Sequence, residues 1–170
     1  MANKFHAEIR LLAPADAGMF RDVRLEALRQ NPEAFASTFE REKNKPLSWF
    51  QERFSQADIF GAFIEDELLG MVGFRAQDGS KTKHKAVLWG MYVRAIARNF
   101  GLGRRLVDAV VKHASERVEQ LQLAVVGENQ AAYRFYKNLG FVEYGRETKA
   151  LKQDGRYYDE ILMVKFLAPA

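Results

Sequence analysis

The sequence predicts an α+β fold, a mixed α/β architecture with a mostly antiparallel central sheet, one parallel strand pair and flanking helices. Three observations carry this. Short period-two apolar stretches joined by polar turns recur along the chain and read as hairpin strands. A long helical pattern lies between the strand at 86–93 and the strand LQLAVV, and such a crossover makes its two strands parallel. The chain has 170 residues, 48% of them hydrophobic, which suits one domain spanning 1–170 with a core of its own.

Taken in order, Phe5, Ala7, Ile9 and Leu11 alternate with His6, Glu8 and Arg10, the pattern of a half-buried strand. Pro14 and Asp16 open a helix to about Gln30, with Met19, Val23, Ala27 and, offset, Phe20 and Leu28 on its inner face. Asn31 and Pro32 stop it. The segment from Pro32 to Leu47 is irregular, and Ser48 with Gln51 three residues later reads as a capping box for a short helix, SWFQERF. DIFGAFIE and LLGMVGFRAQ form a hairpin around an Asp66-Glu67 tip, and the polar loop DGSKTKHK leads into the strand AVLWGMYVR. The next helix repeats Leu102, Leu106, Val110 and Ala114 at four-residue spacing beside Val107 and Val111. After LQLAVV, the helix NQAAYRFYKNLG closes on Gly140, and FVEYGRETKAL, a KQDG turn and RYYDEILMVKF make a last hairpin.

Composition bounds the chemistry. Lys and Arg number 26 against 22 Asp and Glu, a net charge of +4, which fits a polyanion or a small molecule bearing phosphates. There is no cysteine, so disulfides, zinc–thiolate sites and a cysteine nucleophile are excluded. His6, His84 and His113 sit among charged neighbours with nothing at metal-ligand spacing, so no metal is expected. No run approaches the roughly 20 apolar residues of a membrane span, and none resembles a signal peptide. The expectation is a soluble, cytoplasmic protein with no membrane partner.

RNFGLGRRL, from Arg98 to Leu106, is the most informative stretch. A glycine in a helix costs on the order of 0.5–1 kcal/mol relative to alanine, so Gly101 and Gly103 need a return. They lie beyond the carboxyl end of a parallel strand and at a helix amino terminus, where N–H groups lack partners and the dipole is positive. Absent side chains would let a diphosphate reach those N–H groups, with Arg98, Arg104 and Arg105 supplying charge. The equally ordinary reading is a glycine-rich turn. There is no third glycine for GxGxxG, since Leu106 stands there, and no Gly-Lys-Ser/Thr of a P-loop.

Asn129, Ala132 and Tyr136 follow the second parallel strand at the spacing N-x-x-A-x-x-x-Y, with Ala132 and Tyr136 on one helical face. A tyrosine pKa of about 10 makes a neutral phenol a proton donor suited to a basic leaving group such as a thiolate. The alternative for Tyr136 is a core aromatic packed with Phe135 and Phe141.

Together these two motifs, from about Leu88 to Phe166, resemble the GNAT superfamily of N-acetyltransferases: Arg98 to Gly103 matches the R/Q-x-x-G-x-G/A pattern for coenzyme A, and N-x-x-A-x-x-x-Y followed by G-F is similar to the other half of that site. The resemblance implies a sheet whose central parallel strands splay to admit acetyl-CoA, the acetyl donor, and direct transfer to a primary amine. It implies that backbone groups of Met91, Tyr92 and Val93 bind the pantetheine arm and polarise the thioester carbonyl. N–H groups of Asn99, Phe100, Gly101, Leu102, Gly103 and Arg104, beside Arg98, would hold the pyrophosphate. Asn129 would bond the pantetheine, and Tyr136 would protonate the departing thiolate.

The base is less defined. Some family members carry a glutamate on the strand before the glycine loop, but Leu88-Trp89-Gly90-Met91-Tyr92 has no carboxylate. Glu26 on the first helix, as base or acceptor contact, and Asp159 or Glu160 on the last strand are the candidates, each equally readable as a solvated surface charge. The acceptor, a small-molecule or peptide amine, should meet the helix bearing Arg24, Glu26 and Arg29, the NPEAFASTFERE segment, and Tyr157 or Tyr158. Two other readings stand beside transfer: a catalytically silent acetyl-CoA sensor and a basic nucleic-acid-binding domain. Against the second, basic residues are spread among acids and no helix-turn-helix or RNA-binding aromatic motif occurs, so no nucleic-acid partner is expected. The family commonly forms homodimers, and the final hairpin is the candidate contact.

Overall fold

The computed structural model describes residues 7–167. Phe5 and His6 of the expected first strand lie outside the described residues. Seven strands form one sheet in the order β1-β2-β3-β4-β5-β7-β6: β1 (Glu8–Leu11), β2 (Asp58–Ile64), β3 (Glu67–Ala76), β4 (Lys85–Val93), β5 (Gln120–Val126), β6 (Val142–Gln153) and β7 (Arg156–Phe166). Every pairing is antiparallel except β4 with β5. That exception follows from the crossover helix α5 (Leu102–Ser115), as the sequence predicts.

Each face of the sheet has its own core. On one, Leu106, Val107, Val110 and Ala114 of α5 pack on Leu88, Leu121, Leu123, Ile161 and Met163 of the strands. The other face is covered by α1 (Ala17–Gln30), α2 (Phe39–Glu42), α3 (Leu47–Gln51) and α4 (Arg53–Gln56). There Phe20, Val23 and Ala27 of α1 and Phe50 of α3 meet Ile59, Phe63, Met71 and Tyr92. The nine-residue α6 (Gln130–Asn138) ends just before Gly140, which takes φ +86°, the left-handed conformation expected of that glycine.

Five local expectations are corrected. Leu11 is 44% exposed while Leu12 is buried, because β1 ends at Leu11 and Leu12 turns inward as its N–H bonds Ile59 O at 2.7 Å. Met19 is 37% exposed, since the helix proper starts at Ala17 after a 3-10 turn at Pro14–Asp16. Asp16 accepts from Ala13 N at 2.7 Å and from Arg10 at 2.8 and 2.9 Å. The Ser48–Gln51 capping box does not form, because α3 begins one residue earlier with Pro46 at its N-cap. The hairpin tip is Glu65-Asp66, both at positive φ, and Glu67 already belongs to β3. Within the supposedly irregular 32–47 stretch, Thr38 caps α2 by accepting from Arg41 N at 3.2 Å.

Candidate functional site

β4 and β5 are in register only at Lys85–Val87 against Gln120–Gln122, yet β4 continues to Val93 and β5 to Val126. Beyond the paired turn the strands part. The gap is a cavity of about 110 Å³ between Leu88–Met91 and Leu123–Val126, roofed by Asn129, Ala132 and Tyr136 of the α6 end and by Ala34 and Phe35 from the opposite face. It shares Met91, Asn129 and Tyr136 with a larger cleft of about 490 Å³ that runs to the start of α5.

A bulge shapes the β4 wall. Met71 pairs with Tyr92 and Gly73 with Trp89, so Gly90 and Met91 together oppose Val72. Gly90 adopts φ +63°, the turn that a bulge of this kind needs. The extra residue interrupts the β3–β4 ladder at Gly90–Met91, and both residues line the gap.

At the other end of the cleft, the first bond of α5 runs from Arg105 N to Gly101 O at 3.2 Å. The amides of Leu102, Gly103 and Arg104 precede it, so they have no acceptor within the helix. The two glycines of the loop do different work. Gly101 sits at φ +74° with nothing within 4 Å of the position a Cβ would take, so its backbone is what matters. A Cβ on Gly103 would lie 3.2 Å from Met91 Cε and 3.3 Å from Phe135 Cζ, so its lack of a side chain keeps the cleft open.

Every expected cofactor residue lines the larger cleft except Phe100: Met91, Tyr92, Val93, Arg98, Asn99, Gly101, Leu102, Gly103, Arg104, Asn129, Ala132 and Tyr136. Phe100 is 57% exposed. Arg98 also donates from Nε to Val93 O at 3.1 Å, closing the loop on β4. Arg105 points elsewhere, its Nη2 donating to Ala7 O at 2.7 Å, so it is a structural tie and not a cleft cation. Asn129 caps α6, its Oδ1 accepting from Ala132 N at 3.1 Å, which leaves its amide NH₂ as the group that can donate into the cleft. Tyr136 packs in the core, as one reading of the sequence has it, and also borders the cleft. Its ring packs against Phe135 and Phe141 at 5.1 and 5.6 Å between centroids, while the residue lines both cavities. Burial pushes its phenol above the ordinary tyrosine value, which keeps it in the protonated, donating form.

The carboxylates separate. Glu26 does not line the cleft. Its Oε1 accepts from the Tyr92 hydroxyl at 3.1 Å and its Oε2 from Arg94 Nε at 2.9 Å, so both oxygens are engaged in tying α1 to β4. Asp159 Oδ1 accepts from the Lys149 amide at 2.8 Å, holding a residue at φ +55°. Glu160 is half-buried beside Val126, its partner in register on β5. Burial and Glu147, opposite on β6, raise its carboxyl above the ordinary range. His113 is paired with Asp58 at 2.6 Å. Among the described residues there is no group of three or more His, Cys, Asp or Glu that could hold a metal, and no helix is long and apolar enough to cross a membrane.

Sequence reasoning missed Ala131 and Phe135 as lining residues. Phe135 had a signal, being adjacent to Tyr136 and four residues after Ala131 on a nine-residue helix. Ala34 and Phe35 fall within the NPEAFASTFERE segment expected at the acceptor, and reach the cleft at the 3-10 turn Pro32–Ala34.

A splayed parallel pair, a bulged strand and a glycine-containing helix start together border this cleft. The chain belongs to the acetyltransferase (GNAT) family, whose sequence profile matches residues 22–141, and it is an acyltransferase of that family. It is similar to L-amino acid N-acetyltransferase AaaT of Escherichia coli K12, at 27% identity over 150 residues covering 82% of this chain and 90% of the relative. An acetyltransferase of the GNAT family from Streptococcus pneumoniae superposes with a TM-score of 0.84 at 21% identity, covering 96% of this chain and 100% of that one. The protein yncA of Salmonella typhimurium, solved with its cofactor acetyl-CoA, gives a TM-score of 0.77 at 17% identity, covering 97% and 96%. The last two likenesses are of fold.

Proposed function

We propose that the protein transfers the acetyl group of acetyl-CoA directly to the primary amine of a small molecule or peptide. The observation that carries this is the continuity of the cleft, from the unbonded amides of α5 through the β4 bulge to the buried phenol of Tyr136. The residues fit the donor: Gly103 opens a path that a Cβ would narrow, and amides at a positive helix end suit a diphosphate. Bound there, acetyl-CoA supplies an acetyl group activated as a thioester. The amides of Leu102, Gly103 and Arg104, with Arg98 and Arg104, hold the diphosphate, and the Asn129 amide holds the pantetheine arm.

Backbone donors of Met91, Tyr92 and Val93, on the stretch of β4 that β5 leaves unpaired, polarise the thioester carbonyl, a contribution of about 3–4 kcal/mol for a well-placed donor. Tyr136 gives its proton to the departing sulfur. Of the three carboxylates, Glu160 is the one we assign to take the proton of the acceptor ammonium. Glu160 pairs in register with Val126, which lines the inter-strand cavity, whereas Glu26 and Asp159 are held in structural ties. Glu26 is thereby a positioning residue for β4. The chain acts in the cytoplasm on this reading, and pairs with a second copy through the β6–β7 hairpin, where Val142, Tyr144 and Tyr157 are exposed.

Calorimetric titration with acetyl-CoA, and separately with CoA, tests the reading. Stoichiometric binding followed by amine-dependent thiol release supports it, and the absence of cysteine removes any protein background in the thiol assay. A folded sample that binds neither ligand overturns it.

A further inference from the structure

The inter-strand cavity has walls of two kinds. Those on β4, β5 and α6 include core residues, with Leu88, Leu123, Val125 and Tyr136 all buried. The wall on the acceptor face comes from Ala34 and Phe35, which lie outside the sheet at the Pro32–Ala34 turn. Ala34 offers only a methyl group, so the Phe35 ring sets how far the cavity extends on that side.

The ring is held from behind. The Pro32–Ala34 turn lies against β5, and Asn31 joins it to α1, donating its N–H to Ala27 O and accepting from Ala34 N, each at 3.0 Å. Phe35 then takes an ordinary extended conformation, φ −129° and ψ 142°. Its ring centre lies 5.5 Å from Arg24 Cζ, within the range of a cation–π contact. Arg24 is itself fixed, donating from Nε and Nη2 to the two oxygens of Glu42 at 3.0 and 2.9 Å. Glu42 also takes a hydrogen bond from Ser37, so one buried carboxylate both orients Arg24 and ties down the segment that carries Phe35. Buried ion pairs add little net stability over apolar packing, and holding a wall of the cavity gives this one a use.

The size of the cavity decides what that wall excludes. Its volume of about 110 Å³ has room for about three or four groups of the roughly 30 Å³ that a water molecule occupies in the liquid. On the transfer reading, the acyl group belongs where the β4 donors and the Tyr136 phenol converge, and Met91 and Tyr136 both line this cavity. An acetyl group, with three heavy atoms, suits that space. A butyryl group brings two further methylenes, and the Phe35 ring stands in their way.

We propose that Phe35 is the acyl-length stop of this site: its ring admits the two-carbon acyl group and excludes acyl thioesters of four carbons or more. Arg24, oriented by Glu42, is the positioning residue for that ring. The inference rests on the transfer reading and specifies the donor for it.

The test is calorimetric titration with free CoA, acetyl-CoA, butyryl-CoA and hexanoyl-CoA, which needs no acceptor. The wild type should bind acetyl-CoA about 10–100-fold more tightly than butyryl-CoA, the range for forcing methylenes into a filled pocket. F35A should lose most of that preference and bind hexanoyl-CoA measurably; F35L, a milder truncation, should move part of the way if F35A fails to fold. The double variant R24Q/E42Q, which leaves no unpaired buried charge, should loosen the preference by a smaller factor. Because the pair acts through the ring, F35A/R24Q/E42Q should match F35A. A double variant that loses stability while its acetyl-to-butyryl ratio stays at the wild-type value overturns the positioning role. Wild-type affinity for butyryl-CoA equal to that for acetyl-CoA, or a preference unchanged in F35A and F35L, overturns the stop and leaves the transferase reading standing. A folded wild type that does not bind free CoA removes both readings together.

Discussion

On the face covered by α5 and α6, the groups at the cleft include backbone amides fixed by a helix start, those of Leu102, Gly103 and Arg104. On the face covered by α1 to α4 they are side chains, fixed by ion pairs: Arg24 with Glu42, and Glu26 with Arg94. On the proposed function, the difference follows from what each face would recognise. A diphosphate and an amide-rich arm would be met by repeated N–H groups, which short glycine-containing motifs can place. An acceptor is met by particular side chains, whose orientation depends on contacts between distant parts of the chain.

The sharpest way to break the acceptor face is Glu42→Ala. Removing one partner of a buried pair leaves an unpaired guanidinium and should destabilise the fold by about 3–5 kcal/mol, read by denaturant unfolding. The same carboxyl gives a pH signature. Burial pushes its pKa up, but the Arg24 hydrogen bonds and charge, with a hydrogen bond from Ser37, outweigh this and hold it below its ordinary 4.5. A depressed folded pKa means that the unfolded chain binds the proton more readily. The stabilisation is therefore complete above that ordinary value and lost as pH falls below it. Asp16, held down chiefly by its Arg10 hydrogen bonds, acts in the same direction. Wild-type stability should drop on acidification through this range, and the Glu42→Ala curve should be flatter there; parallel curves would show that the pair contributes nothing to the pH dependence.

The corresponding break on the cofactor face is Gly103→Glu. It narrows the space between Met91 and Phe135 and sets a carboxylate against a diphosphate, a juxtaposition costing several kcal/mol. Acetyl-CoA affinity should fall by about 100-fold or more in calorimetry, with the circular dichroism of the fold retained. Wild-type affinity in this variant would remove the α5 amides from the site.

These two variants also mark what the sequence can and cannot reveal. The lining of the larger cleft was legible because its determinants are local: Gly101 is the N-cap of α5 and Gly103 lies in its first turn, and Asn129 caps the short helix that carries Ala132 and Tyr136. The roles of Glu26 and Arg105 were not legible, because their partners Tyr92, Arg94 and Ala7 are far away in sequence. For the same reason Glu42 passed as one charge in an irregular stretch, although it is among the most buried side chains of the fold. Nothing in NPEAFASTFERE distinguishes it from Glu40 until α2 is docked on α1.

Tyr136→Phe sharpens the division between binding and chemistry within the cofactor face. The ring keeps its contacts with Phe135 and Phe141, so acetyl-CoA affinity should stay within about twofold while kcat drops by at least about tenfold, less than the full range for a general acid. An unaltered kcat would return Tyr136 to a purely packing role. Since burial raises the phenol pKa, wild-type kcat should also show no loss from phenol ionisation as pH rises through the ordinary tyrosine value.

The smallest expected effect separates the two glycines of the loop. Gly101→Ala meets open space but forces an alanine to φ +74°, a conformation that costs a non-glycine residue roughly 1 kcal/mol. Gly103→Ala has an ordinary helical backbone, where alanine is intrinsically favoured, but its methyl would press on Met91 and Phe135 at the cleft wall. Gly101→Ala should therefore lower thermal stability by a few degrees and weaken acetyl-CoA binding only slightly, whereas Gly103→Ala should leave stability nearly unchanged and weaken binding more. Measured side by side, melting temperature and affinity should move in opposite ranks. If both substitutions instead cost only stability, the loop would be a turn that happens to border a cleft, and the amides of α5 would lose their role in holding the diphosphate.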